Sequence, residues 1–369
     1  MTRRLLHLSG LAIVGVILYH AVGWGFVGMF WWTDRYAPVT VPNFYQMGSA
    51  IYYGMRSIEQ IIIPGVPAFL FVAGVFAAFA SGKAPGARGW GWVPRRMVSL
   101  LIPYGIWSLV TIASDYALGE RASGMVLLRM LLIGGTSPGF YFIPLLCQLY
   151  LLSPLIVPMA RRHWRGLLLA SALIQLAVQS ARYAAHLHLV FPGSPLLDML
   201  TPSWFFPGNL FWFAFGVVLG FHSSELIGGI VRARWLWLAG VILLLVPGIL
   251  EWELLLRASG QVWLGSTETL LDNLYSLLFL LTFLGFEAIR LPGLRRVSEL
   301  GSKAYGIYLV HGLVLTFVAK IIYNAAPALL SVEIAFLGIL AAAGLGVPLI
   351  LMNLIRRSPA RRLYPYLFG

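Results

Sequence analysis

Ten apolar segments, each long enough to cross a lipid bilayer, restrict the folds that are open to this chain. A membrane-spanning helix needs roughly 20 mostly apolar residues to cover about 30 Å of hydrocarbon. Because backbone polar groups inside a bilayer must be satisfied internally, and a β-barrel would alternate in shorter segments, the pattern predicts an all-α polytopic membrane protein. The predicted spans cover residues 8–31, 58–80, 97–117, 140–159, 167–190, 204–222, 235–250, 269–289, 304–323 and 333–355.

The balance of charged and apolar residues excludes other classes of protein. Only 11% of the residues are charged and 59% are hydrophobic, whereas soluble domains carry about a quarter charged residues. This rules out a soluble enzyme, a disordered chain and a coiled coil. The apolar stretch 125–133 is too short to span and predicts an interfacial or re-entrant helix. We expect one transmembrane domain over residues 1–369.

The distribution of Lys and Arg predicts the orientation in the membrane. With the N-terminus inside, 19 of the 26 basic residues fall in loops on the cytoplasmic side, as the positive-inside rule requires. Both termini are therefore predicted to be cytoplasmic, and the net charge of +13 needs no nucleic-acid partner. The 19 residues are Arg3, Arg4, Lys83, Arg88, Arg95, Arg96, Arg161, Arg162, Arg165, Arg232, Arg234, Arg290, Arg295, Arg296, Lys303, Arg356, Arg357, Arg361 and Arg362.

Two histidines within predicted spans are the first candidates for function. Ionisable side chains at membrane depth are costly, so each is a functional candidate by default. His20 lies about twelve residues into the first span, and histidine is the side chain most readily used as a general base near pH 7. The alternative for His20 is a packing histidine hydrogen-bonded to a neighbouring helix. His311 lies in the ninth span.

Spacings of three residues place other polar side chains together. Tyr305, Tyr308 and His311 share one helical face, which is either a hydrogen-bonded seam between helices or a polar wall for a substrate. Arg56 and Glu59 stand at the predicted outer entry to the second span. They are either a local ion pair or a site for the hydroxyl groups of an acceptor.

Other reactive residues carry no comparable pattern. His186 and His188 are two residues apart and would point to different faces of a helix, and no carboxylate or cysteine accompanies them, so no metal site is predicted. Cys147 has no basic neighbour in the sequence that would lower its pKa, which makes it a poor nucleophile.

Four motifs give the chain its resemblance to a known family. The first span contains Ile-Leu-Tyr-His-Ala around His20, and the second contains Gly-Val-Pro-Ala-Phe-Leu-Phe-Val-Ala-Gly from Gly65. The fourth has Phe-Tyr-Phe-Ile-Pro-Leu-Leu from Phe140, and the ninth reads Gly-Ser-Lys-Ala-Tyr-Gly-Ile-Tyr-Leu-Val-His from Gly301. The chain resembles the acyltransferase-3 family, integral-membrane acyltransferases that modify extracytoplasmic glycans, and the last motif is the most specific.

The chain departs from the family pattern at two positions. Family members usually carry an arginine eleven residues before the first-span histidine and an Arg-x-x-Arg pair before the third span. Here the first position is occupied by Ser9. In the pair, Arg96 retains the first arginine and Ser99 replaces the second. The resemblance would assign both missing arginines to the acyl donor, so a catalytically inactive relative that scaffolds an envelope assembly stays open. Arg3, Arg4 and Arg95 are near enough in sequence to substitute.

The resemblance implies a membrane-bound, acyl-CoA-dependent O-acyltransferase. It would move an acyl group, most simply acetyl, from cytoplasmic acyl-CoA to a hydroxyl of an extracytoplasmic or lipid-linked glycan. Direct transfer is favoured because no activated nucleophile is visible, although an acyl-histidine intermediate stays open. His20 is the predicted general base, and His311 and Tyr308 are predicted to orient the acyl group or to stabilise the oxyanion. The predicted substrate-binding residues are Arg95, Arg96, Tyr305, Ser302, Arg56 and Glu59.

These assignments define the expected partners and location. Acyl-CoA, acetyl-CoA above all, is a co-substrate, no cofactor is bound permanently, and the other partners are the glycan acceptor and membrane lipid. The expected location is the cytoplasmic (inner) membrane of a prokaryote. A transporter or flippase for a lipid-linked glycan or small solute is the rival from another class, because ten interrupted helices with buried polar residues also fit it.

Overall fold

A computed structural model of the protein describes residues 2–82, 90–189, 199–264, 268–286 and 293–369, and within these ranges all regular structure is helical. Lys83, Arg88 and Arg290 of the predicted cytoplasmic loops lie outside the described residues. The helices are α1 (Thr2–Phe30), α2 (Ala50–Ile62), α3 (Gly65–Ser81), α4 (Trp92–Ala117), α5 (Gly124–Ile133), α6 (Phe142–Arg162), α7 (Trp164–His186), α8 (Leu210–Arg232), α9 (Arg234–Ser259), α10 (Leu270–Gly285), α11 (Leu294–Ser302), α12 (Ala304–Ala325), α13 (Glu333–Arg357) and α14 (Tyr364–Phe368).

The all-α membrane fold expected from the sequence is confirmed. Within the described ranges, nine segments are helical, apolar and long enough to cross a membrane. The segment predicted over 269–289 contains α10, an apolar helix of 16 residues. The short stretch 125–133 is also helical, as α5.

The second span begins earlier than the sequence suggests. The prediction of a start at residue 58 is wrong, because α2 begins at Ala50 and is followed by α3 after a break at residues 63–64. Ser49 caps α2 by accepting a hydrogen bond from the backbone N–H of Tyr52 at 3.2 Å, which satisfies one of the free donors of the first turn. Arg56 therefore lies inside a helix and not at its entry.

The described residues group into two compact units, each assembled from separate stretches of the chain. Unit 1 contains residues 1–65, 99–140 and 295–369. Its apolar core lies where α1 packs against α12 and α13, and buried side chains from all three helices meet there. They are Ala21, Leu315, Ala319, Ile322, Leu330, Phe336 and Leu340, of which Leu330 comes from the connection between α12 and α13.

Unit 2 contains residues 66–98 and 141–294, and its helices α3 and α8 cross at very short distance. A Cβ atom on Gly74 would lie 2.2 Å from the carbonyl oxygen of Phe213, and one on Gly216 would lie 2.0 Å from that of Phe71. Only glycine at both positions allows the two backbones to approach this closely, which is a common way to pack helices in membranes.

Candidate active site

The two histidines predicted to act together come into ring contact in unit 1. His20 of α1 and His311 of α12 have ring centroids 5.3 Å apart, with the ring planes inclined by 40°. The His311 side chain is completely buried, whereas His20 is partly exposed. Of the two imidazoles, His20 is therefore the one in a residue with surface that the protein does not cover.

The hydrogen bond of His311 fixes which of its nitrogens can take a proton. Nδ1 lies 2.6 Å from the carbonyl oxygen of Tyr308, one helical turn earlier. A carbonyl oxygen can only accept, so Nδ1 carries the hydrogen and the neutral ring has its lone pair at Nε2. Nε2 is buried and forms no hydrogen bond within the described part of the chain. Neutral His311 is thus a proton or hydrogen-bond acceptor, and the predicted oxyanion role would require a protonated ring.

Tyr308 holds a loop next to the two histidines. Its hydroxyl donates a hydrogen bond to the carbonyl oxygen of Gly139, and its ring contacts those of Phe140 and His311, with centroids 6.0 and 5.7 Å away. Because the hydroxyl hydrogen is directed at Gly139, Tyr308 does not offer it to an oxyanion in this arrangement. Its position shows a role in supporting the loop, and a role in catalysis stays a prediction.

The loop itself, residues 134–140, follows α5 and returns to α1 and α12 of unit 1. Gly139 has φ of +92°, a backbone conformation that residues with a side chain rarely adopt. A Cβ atom there would lie 3.0 Å from Nε2 of His20, and a Cβ atom on Gly312 would lie 2.8 Å from Oγ of Ser137. Sequence reasoning did not include this loop in the site. The Ser-Pro-Gly turn at 137–139 was its only signal.

Gly139→Ala is expected to lower both stability and acyl transfer. The left-handed backbone costs an L-residue about 1–2 kcal/mol, and the new methyl group would push against His20. Gly119→Ala is the matched control, because Gly119 has φ of +89° and no atom within 4 Å of the added Cβ. Thermal melting and turnover of both variants check this. Equal turnover in the two would show that the contact with His20 has no role in activity.

Tyr305 and Ser302, predicted to bind substrate, are both engaged in hydrogen bonds within unit 1. The Tyr305 hydroxyl donates to the carbonyl oxygen of Leu100 at 2.6 Å. Ser302 is exposed, and its hydroxyl donates to the carbonyl oxygen of Glu299, one turn earlier in α11, at 2.7 Å. The structure therefore gives each hydroxyl a role in supporting the helices, and a role of either residue in substrate binding stays a prediction.

Arg56 and Glu59 form an ion pair within α2. Only 8% of Arg56 and 9% of Glu59 is exposed, so the pair is buried. Of the two interpretations left open by the spacing of three residues, the structure shows the local ion pair. A role in binding the acceptor stays a prediction.

The two arginines predicted to bind the donor belong to unit 2. Arg95 and Arg96 lie in the first turns of α4 and are exposed. The two positions that depart from the family pattern belong to unit 1, where Ser9 is only 6% exposed and Ser99 is partly exposed. An arginine at position 9 would therefore enter a buried environment.

Comparison with known proteins agrees with the sequence motifs. A family model described as an acyltransferase domain matches residues 7–353 of the 369, a range that contains both histidines, Tyr308 and the loop around Gly139. Neither a curated protein nor a solved structure matches the chain significantly. Because the match extends over nearly the whole sequence, the chain belongs to the acyltransferase-3 family.

Proposed function

We propose that this membrane acyltransferase transfers an acyl group, most simply acetyl, from acyl-CoA to a hydroxyl of an extracytoplasmic or lipid-linked glycan. Family membership gives the general activity. The observation that carries the finer proposal is the pair of imidazoles formed by His20 and His311. One ring is accessible, and the other is buried with an unpartnered nitrogen lone pair.

His20 is assigned the proton transfers. The acceptor hydroxyl oxygen attacks the carbonyl carbon of the thioester while His20 takes its proton, a contribution of about 10²–10⁴-fold for general-base catalysis. When the tetrahedral intermediate collapses, the carbon–sulfur bond breaks and the imidazolium returns the proton to the departing thiolate. The products are the ester and the free thiol of CoA, and no proton is gained or lost by the enzyme.

His311 is assigned the support of charge on His20. Its Nδ1–H is held by the carbonyl oxygen of Tyr308, which leaves Nε2 as an acceptor. A buried acceptor beside the base favours the imidazolium form, as a carboxylate does behind the histidine of a hydrolase triad. The 5.3 Å between the ring centroids requires only a small movement for a hydrogen bond between the rings.

Arg95 and Arg96 are assigned to the donor. CoA carries several phosphate charges, and exposed guanidinium groups at the start of α4 offer charge-assisted, bidentate hydrogen bonds to phosphate oxygens. The bias of basic residues supports a cytoplasmic position for this end of α4. The thioester would then be presented from inside and the acceptor hydroxyl from outside.

The direct test uses purified protein in liposomes with acetyl-CoA labelled in the acetyl group. Candidate acceptors are glycans and lipid-linked glycans, and the control is the His20→Gln protein. Label on an acceptor with wild type, and none with the variant, supports the proposal. Solute uptake without labelled product would indicate a transporter, and neither activity would favour an inactive relative that acts as an envelope scaffold.

The proposed orientation is tested by introduced cysteines. Tyr45 is 96% exposed in the connection between α1 and α2, and His163 is exposed between α6 and α7. A membrane-impermeant maleimide should label Tyr45→Cys from outside the cell and His163→Cys only after the membrane is opened. Wild-type protein is the control, because Cys147 is buried. Labelling of both variants from the same side would overturn the orientation.

A further inference from the structure

Four arginines stand close together in unit 1, at the end of α13 and just beyond it. Arg356 and Arg357 belong to the last turn of this helix. Arg361 and Arg362 follow in the short 3-10 helix Pro359–Leu363. All four residues are exposed, and we call them the arginine cluster. None of them belongs to the candidate active site, so the cluster requires a separate explanation.

The positive charge of the arginine cluster is not neutralised by the described part of the protein. None of its guanidinium groups forms an ion pair with a described residue. No acidic residue follows Glu333 in the sequence, and Glu333 stands at the opposite end of α13. Elsewhere in unit 1, by contrast, Arg295 pairs with Glu299 at 3.2 Å. The cluster therefore presents four uncompensated charges to its surroundings.

The segment that follows the arginine cluster is anchored to unit 1. Phe368 of α14 is only 3% exposed, and its ring centroid lies 6.3 Å from that of Trp107 in α4. The Trp107 indole N–H donates to the carbonyl oxygen of Leu367 at 2.8 Å. A Cβ atom on Gly306 of α12 would lie 3.0 Å from the Cβ atom of Phe368. Since α13 precedes the cluster and α14 is docked on α4 and α12, the arginines are held at one place on the surface of unit 1.

Exposed apolar side chains accompany the arginine cluster. Leu363, which directly follows Arg362, is 52% exposed, and Tyr366 is 53% exposed. A soluble anion makes no use of such surface, whereas at the boundary of a bilayer leucine contacts hydrocarbon and tyrosine lies at the level of the head groups. The cluster also lies at the end of an apolar helix long enough to cross a membrane. Positive charge and apolar surface together favour a lipid as the partner over a soluble polyphosphate.

We propose that the arginine cluster, together with Leu363 and Tyr366, binds anionic phospholipid in the leaflet at which α13 ends. The guanidinium groups donate charge-assisted hydrogen bonds to the phosphate oxygens, and the net negative charge of the lipid compensates the cluster. Leu363 and Tyr366 lie against the glycerol region and the upper part of the acyl chains. The distribution of basic residues predicts that this is the cytoplasmic leaflet. The surface is independent of the acyl-transfer reaction.

The test compares two lipids that differ only in the head group. Purified full-length protein in detergent receives one equivalent of phosphatidylglycerol or phosphatidylcholine, each with a diazirine in one acyl chain. After irradiation and digestion with trypsin, the ratio of anionic to zwitterionic label is measured on peptide 363–369. It should be about ten times the ratio on peptide 235–257 of α9, the factor that 1.4 kcal/mol of binding free energy gives. The reference peptide is apolar, and its Leu243 is 72% exposed. Equal ratios on the two peptides would overturn the proposal.

Paired variants separate this surface from the net charge of the protein. Arg361→Gln with Arg362→Gln should abolish most of the preference for the anionic lipid, read on peptide 358–369 because the two cleavage sites are lost. Lysine at both positions should retain most of it. The control is Arg295→Gln with Arg296→Gln, an exposed pair of α11 whose loss changes the net charge equally. An equal loss of preference in the control, or none in the cluster variant, would contradict the proposal.

Two further measurements distinguish a lipid from a soluble ligand. Unlabelled acetyl-CoA in excess should leave the labelling of peptide 363–369 by phosphatidylglycerol unchanged, because it offers phosphate groups without an apolar anchor. Raising the ionic strength from about 0.1 M to about 1 M, which shortens the Debye length from about 10 Å to about 3 Å, should reduce the preference for the anionic lipid. Displacement by acetyl-CoA would assign the arginine cluster to a soluble phosphate ligand and overturn the proposal, as would a preference that salt does not change. None of these measurements requires acyl transfer.

Discussion

His20→Gln is expected to reduce acyl transfer by about 10²–10⁴-fold, the usual contribution of a general base, while the protein stays folded. Glutamine preserves much of the volume and the hydrogen-bonding capacity of histidine but cannot accept a proton at neutral pH. Since His20 is partly exposed, the substitution should remove chemistry and leave packing largely intact. Initial rates with labelled acetyl-CoA, together with thermal melting, measure the two effects separately.

A packing histidine would give the opposite result. Loss of a hydrogen bond that leaves a buried partner unsatisfied costs about 1–3 kcal/mol of stability and spares turnover. His222→Gln is the matched control, because His222 of α8 contacts the carbonyl oxygen of Ala160 at 2.9 Å in unit 2 and has no assigned role in the reaction. Near-normal activity of His20→Gln would exclude the general-base assignment.

His311→Gln should have a smaller effect on the rate than His20→Gln. If His311 stabilises the charged form of His20, its loss lowers the proton affinity of the base, so His20 stays deprotonated, and the rate is maintained, down to a lower pH than in the wild type. The pH–rate profile of the variant should therefore show a lower apparent pKa than that of the wild type. An unchanged profile with a lower melting temperature would give His311 a purely structural role.

The helical fold was predictable because apolar length is a local property of the sequence. The start of the second span could not be predicted in the same way, because Arg56 and Glu59 interrupt the apolar pattern. Their ion pair in the structure shows how a helix can bury both side chains. The shared face of Tyr308 and His311 follows from a spacing of three residues, but spacing does not reveal that the Tyr308 hydroxyl is directed at Gly139.

The contact between His20 and His311 depends on residues 291 positions apart. No local pattern specifies such a pairing, and it was expected only through the resemblance to a family. The loop around Gly139 illustrates the same limit. A Ser-Pro-Gly sequence predicts a turn, whereas the approach of that turn to His20 depends on the packing of α1 and α12 and cannot be read from the turn itself.

Arg96→Ala is expected to weaken acyl-CoA binding by about 10–150-fold. A charge-assisted hydrogen bond between arginine and phosphate contributes roughly 1.5–3 kcal/mol, and each 1.4 kcal/mol is a factor of ten in affinity. Arg96 is exposed at the start of α4, where a phosphate can reach it. Calorimetry of acyl-CoA binding to the purified wild type and variant measures the difference.

The control for this experiment is Arg162→Ala, which removes an exposed charge at the end of α6 and should leave the affinity nearly unchanged. Added arginines are expected to gain little, because Ser9 is 6% exposed and Ser9→Arg would place a charge in a buried environment, at a cost in stability. Equal affinities of wild type and Arg96→Ala would remove Arg96 from the donor site. Absence of binding by the wild type would instead favour an inactive relative, since a chain that has lost donor contacts at Ser9 and Ser99 would retain the fold without the reaction.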